Sequence, residues 1–183
     1  VCHALLQDPV FFRFLLRIDI EFATETRQGR CPQCAGPLHC GDYPRKPRGL
    51  PASVLEEYSS RFSFTCGRCD KRATPFSVRF FGRRVYVAVA LMLASPPSDA
   101  PAQRLADELG IPVRTMACWR TWWNRDFLRT PFWQSTCGRF QTPVPSQRLP
   151  GSLLERFAAD SDSRRMELLL RFVAPLSTRT VSR

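Results

Sequence analysis

Side chains able to do chemistry crowd into one part of this chain. The stretch RCPQCAGPLHC (30–40) holds three cysteines and a histidine, and TCGRCD (65–70) adds two more cysteines. Cys31-Pro-Gln-Cys34 and Cys66-Gly-Arg-Cys69 are two CxxC knuckles. The tight turn of each lets two thiolates approach one ion from one side, and together they complete a tetrahedron with Zn–S of about 2.3 Å. The long loop between them costs little more closure entropy than a short one. Gly36 and Gly67 are expected to supply the positive φ of such turns. Four thiolates leave no coordination position for water or substrate. The expected Zn2+ is therefore structural, standing in for a core that so small a module cannot build. His39 and Cys40 exceed the four places. The symmetry of the two pairs favours Cys31, Cys34, Cys66 and Cys69, with His39 a loop residue or phosphate contact. Cys2, Cys118 and Cys137 have no partner at metal spacing and read as ordinary thiols.

Catalytic constellations are hard to assemble from what remains. Strand-transfer chemistry with Mg2+ needs carboxylates converging from a sizeable mixed sheet. Beyond residue 130 only Glu155, Asp160, Asp162 and Glu167 are acidic, in a stretch with no strand run. His3 and His39 are the only histidines, too few for a paired-histidine site and badly placed as a base for a cysteine nucleophile. The chain is expected not to be an enzyme and to have no small-molecule substrate.

The charge suggests what it binds instead. A net +11 and a pI near 10 point to a polyanion, nucleic acid first. The bases are nearly all arginine, suited to phosphates and guanine edges, although a GC-rich genome would give the same bias. Residues 26–85 carry a net +8, centred on the cysteines. There, Arg45, Lys46 and Arg48 sit on a proline-stiffened loop that loses little entropy on meeting a phosphate backbone. Arg68, Lys71 and Arg72 surround the second knuckle, and Arg79, Arg83 and Arg84 follow.

A second motif lies at AQRLADELGIPVRTMACWRTWWNRDF (102–127). A helix-turn-helix needs a small residue where its helices touch, a glycine at the turn, and apolar residues at set offsets. Ala106 and Gly110 fill the first two roles, and Leu105, Leu109, Ile111, Met116 and Trp119 the third. Ser98, Asp99 and Pro101 mark the start of its first helix. The second helix, about 113–126, then presents Arg114, Thr115, Ala117, Cys118 and Thr121 outward, with Arg120 toward a flank. Arg114 suits a guanine edge and Thr115 a phosphate or thymine methyl. Trp119, Trp123 and Phe127 form a core stripe, and Trp122 is expected against the N-terminal helix. The rival reading is an αα-hairpin used for protein contact.

These segments need a frame. The chain reads as mainly α with a small β zinc ribbon. A packing helix occupies 1–28, begins at Asp8-Pro9 and shows an apolar face of Phe11, Phe14, Leu15, Ile18 and Phe22. The four-cysteine zinc ribbon takes 29–81. The helix-turn-helix region, 82–130, opens with a buried apolar helix over 82–95. A proline-rich connector and helical tail fill 131–183. The N-terminal helix and RRMELLLRFVAPL (164–176) are possible partner surfaces. The apolar run at 85–94 is too short to span a bilayer, and no secretory signal is visible, so a cytoplasmic location and no membrane partner are expected.

Taken together, Cys31, Cys34, Cys66 and Cys69 with Ala106, Gly110, Ile111 and Trp119 resemble the zinc-ribbon plus helix-turn-helix module of bacterial insertion-sequence proteins. The segment containing YPRKPRG (43–49) also looks like small transposase-associated proteins. The likeness covers about 29–127; Cys40 departs from it, where a basic or small residue is more usual. It implies an accessory protein that binds double-stranded DNA at element ends and acts with a separate recombinase or transposase, or by self-association. A zinc-ribbon transcriptional regulator and a non-catalytic scaffold are the alternatives.

Overall fold

The computed structural model describes residues 3–81, 86–94, 103, 106–107 and 110–178. Cys2, Arg83, Arg84, Ser98, Asp99, Pro101, Leu105 and Leu109, singled out above, lie outside them. The chain is mostly helical, with two small antiparallel sheets beside the cysteines.

Helix α1 (Pro9–Gln28) starts where the sequence places it. The Asp8 carboxylate accepts the backbone N–H groups of Val10 and Phe11, and Pro9 occupies the first turn, where its missing N–H costs nothing. Its buried face differs from the expected one. Phe14 is 39% exposed, whereas Phe12 is fully buried beside Phe11, Leu15, Ile18 and Asp19. The buried stripe carries a carboxylate, Asp19, into the interior.

Strands β1 (Leu38–Cys40), β4 (Phe64–Cys66) and β5 (Arg72–Ala73) form one sheet in the order β1-β4-β5, and β2 (Tyr43–Pro44) pairs with β3 (Ser60–Arg61). The inner face of the three-stranded sheet, with Leu38, Phe64, Cys66 and Ala73, joins Ala23 and Cys31 in a small core of its own. Among the described residues a second, larger core takes in α1, residues 78–81 and 86–94, the tryptophan segment and the last helix.

Helix α2 (Ala88–Ala94) is buried at every position. Of the 82–95 expected, residues 82–85 and 95 lie outside the described residues, and Tyr86 and Val87 form single β-bridges to Arg48 and Phe80 instead of a helical turn. Helix α3 (Val113–Thr121) runs on through a wide turn at Trp122–Asp126 and a tight one at Phe127–Arg129. The connector after it contains helix α4 (Pro131–Thr136), with the Thr130 hydroxyl capping Trp133 N–H at 3.1 Å. After the short α5 (Gly151–Leu154), helix α6 (Asp162–Val173) buries Met166, Leu169, Leu170 and Val173 in the main core. The apolar faces of α1 and α6, read above as possible partner surfaces, are thus covered largely by the chain itself. No described helix is long and apolar enough to cross a membrane.

A buried ion pair ties these parts together. Asp19 and Arg79, each 1% exposed, meet at 2.7 Å. Asp19 also accepts the Ser77 hydroxyl at 2.6 Å and Val78 N–H at 2.7 Å, while Arg79 donates to the carbonyls of Glu57 and Ser60. Ser177 extends the network: its hydroxyl accepts Ser77 N–H at 2.9 Å, and its carbonyl accepts the buried Arg61 guanidinium at 2.8 Å. Burial lowers the Arg61 pKa to about 10, so that it stays charged at neutral pH. Arg79, grouped by sequence with a basic surface, is therefore an internal strut.

Candidate metal centre and nucleic-acid interface

The two knuckles are the same turn built twice. Cys31 N–H donates to the Gly36 carbonyl at 3.0 Å, and Ala35 N–H returns to the Cys31 carbonyl at 2.8 Å. In the second, Cys66 N–H donates to Lys71 and Asp70 N–H returns to Cys66, at 2.9 and 3.1 Å. The left-handed residues are Ala35 (φ 54°) and Asp70 (φ 55°), not the glycines. Gly36 is needed for room, and Gly67 lies close under the His39 ring. A Cβ on Gly36 would lie 2.9 Å from the Cys66 sulfur, and one on Gly67 would lie 2.8 Å from His39 Nε2.

This pairing brings Cys31, Cys34, Cys66 and Cys69 into one cluster, all sulfurs within 4.8 Å of one another. The Cys31–Cys69 and Cys34–Cys66 sulfurs are 3.6 and 3.5 Å apart. Tetrahedral thiolates around zinc at ~2.3 Å stand about 3.8 Å apart, so the spacing matches with little adjustment. His39 and Cys40, both exposed on β1, stand outside the quartet, which is the only such group among the described residues. The thiols are electrostatically unequal. The Arg68 backbone N–H draws Cys66 down to about 6. For Cys69 the Lys71 N–H pulls the same way, but hydrogen bonds within the sulfur cluster, Cys34 foremost, and burial push it up to about 12. Four thiolates in mutual contact repel, and a dication is what would let all four lose their protons.

The predicted basic residues divide by environment. Lys46 and Arg48 are both at least partly open to solvent, on a loop anchored by Gly49 (φ 80°), whose missing Cβ would sit 2.7 Å from Ala90. Arg45 has its guanidinium 5.6 Å from the centre of the Phe80 ring. Arg68 and Lys71 flank the cysteine cluster. Arg72, exposed, lies 4.3 Å over the Tyr43 ring and donates through one terminal nitrogen to the Gly41 carbonyl at 2.9 Å.

The expected turn between helices is present. Gln103, Ala106 and Asp107 are helical, and Gly110 is left-handed (φ 61°). Gly110 N–H reaches Asp107 and Ile111 N–H reaches Ala106, at 3.3 and 3.0 Å, the two bonds of a Schellman stop. Ala106, Ile111, Met116 and Trp119 are all buried. On α3, Arg114, Ala117, Cys118 and Thr121 are exposed along one face, while Thr115 and Arg120 are half-buried. Trp119 packs edge-on to Tyr86 at 5.2 Å, and Trp122 edge-on to Phe81 at 5.4 Å, a partner the sequence did not indicate. Asn124 and Arg125 extend the exposed face by a turn and were missed, though the helical repeat beyond Thr121 points to them. Nothing lies within 4 Å of where a Gly110 Cβ would be. Gly110→Ala should therefore cost only the left-handed strain, about 1–2 kcal/mol in chemical denaturation, with metal content unchanged. Compared with protein-family models, curated proteins and solved structures, the chain matches none.

Proposed function

We propose that this is a zinc-stapled, non-catalytic DNA-binding protein that serves a mobile genetic element, holding double-stranded DNA for a separate recombinase. One observation carries the DNA reading: the exposed face of α3, with Arg114, Cys118 and Thr121, follows a tight glycine turn and stands on a buried base of Met116, Trp119 and Trp123. Such a helix is held rigidly enough to enter a major groove. The basic surface supplies the sequence-independent part of the affinity. The metal is zinc in this reading, because an all-sulfur tetrahedral set suits that ion and gives it no open site for catalysis. The link to transposition rests on the resemblance of the two motifs.

Selection from a random pool of duplex DNA by the zinc-loaded chain, at two salt concentrations, tests it. An enriched motif is expected, and Arg114→Ala should relax preference at one position at a cost of about 1–3 kcal/mol. Retention of no DNA at either salt would sink the proposal.

A further inference from the structure

The side of the three-stranded sheet turned away from its small core is polar, and two glycines keep it bare. His39 pairs with Thr65 across β1 and β4, and Thr65 pairs with Arg72 across β4 and β5. The three residues thus form a row across the sheet, their strands about 4.8 Å apart. His39 and Arg72 are exposed and Thr65 is half-buried. A Cβ at Gly41 would come 2.9 Å from the Thr65 hydroxyl oxygen, and one at Gly67 would come 2.8 Å from His39 Nε2. Neither glycine has a positive φ, so backbone strain does not require them. Each leaves out a Cβ that would press on a polar atom of the row.

Arg72 is set in place before any ligand arrives. Stacking on Tyr43 and the bond from one terminal nitrogen to Gly41 fix its plane. Its Nε and second terminal nitrogen carry no hydrogen bond among the described residues. A guanidinium with a free edge, next to a hydroxyl donor, matches two oxygens of a phosphodiester. Arg68 and Lys71 add positive charge nearby, which would also balance the net charge of about −2 on a dication bound by four thiolates.

From this arrangement we infer that the His39–Thr65–Arg72 row is a phosphate-binding platform that grips the backbone of the nucleic acid. The inference rests on the DNA reading above and adds to it the site, its ligand group and a reason for Gly41. Zinc-loaded chain, titrated with a short random-sequence duplex and separately with inorganic phosphate, tests it by NMR. The duplex should shift the Arg72 Nε–H and Thr65 resonances. Arg72→Gln and Gly41→Ala should each weaken duplex binding severalfold and lower the salt slope by about one, at unchanged zinc content. If the duplex binds and both variants keep the parent slope, the platform is refuted while the DNA reading stands. Shifts with phosphate but none with duplex make the row a free-anion site and overturn the assignment to nucleic acid. Failure of the parent chain to bind any duplex removes both.

Discussion

Cys66→Ser should abolish metal binding and unfold the small sheet, while Cys40→Ser leaves both intact. The sulfur of Cys66 is fully buried in the quartet and accepts the Arg68 N–H at 3.3 Å. A hydroxyl in its place is a poor ligand for a soft site, and its remaining three partners would face one another uncompensated. Structural zinc contributes on the order of 10 kcal/mol to the folding of small modules. The buried residues of the small core are Ala23, Cys31, Leu38, Phe64, Cys66 and Ala73, and two of those six belong to the cysteine quartet. Little would then hold β1, β4 and β5 together. Metal analysis should fall from about one zinc per chain to near zero, and amide exchange across Leu38–Cys40 and Phe64–Cys66 should become fast. Because binding requires bare thiolates, affinity should fall as pH is lowered. Retention of zinc by Cys66→Ser, or its loss in Cys40→Ser, would show that the ligand set is wrong.

The second large effect is expected at the buried ion pair. Asp19→Ala leaves the Arg79 charge in the interior with only the neutral Glu57 and Ser60 carbonyls as acceptors, a change that costs about 3–5 kcal/mol where one partner of a buried pair is removed. That is a large part of the roughly 5–15 kcal/mol by which domains are stable. Arg79→Met should be milder, because Asp19 keeps two donors, the Ser77 hydroxyl and Val78 N–H, and methionine fills much of the volume. Urea denaturation of both variants with zinc present decides it. Equal losses, or a loss below about 1 kcal/mol for Asp19→Ala, would mean that water enters and screens the pair.

Much of the metal centre was legible because its rule is local: two CxxC turns name their own ligands, and His39 and Cys40 fall outside on symmetry alone. The turn at Gly110 was legible for the same reason, since Ala106, Gly110 and Ile111 lie within six residues of one another. Features set by distant parts of the chain were not. Asp19 and Arg79 look like solvent-facing charges until the fold brings them together from sixty residues apart. Phe12 and Phe14 are equivalent in composition, and it is Phe12 that shares the buried face with Asp19. Thr130-Pro131 is a helix start, but it sits among so many prolines that the stretch reads as a connector. Gly36 and Gly67 were read as conformational necessities, whereas neither has a positive φ and Gly36 is demanded by the Cys66 sulfur and Arg68 beside it.

Ser177 has a consequence for the order in which a ribosome would deliver this structure. All four cysteines of the centre are translated by residue 69, so the ion can be captured early. The hydroxyl and carbonyl that bind Ser77 and Arg61 arrive 100 and 116 residues after their partners. At about 5–20 residues per second, a growing chain would carry a finished metal module and an open helical body for roughly 5–20 s. Nascent chains arrested before residue 177 should therefore already retain zinc, yet expose the inner faces of α1 and α2 to chaperones.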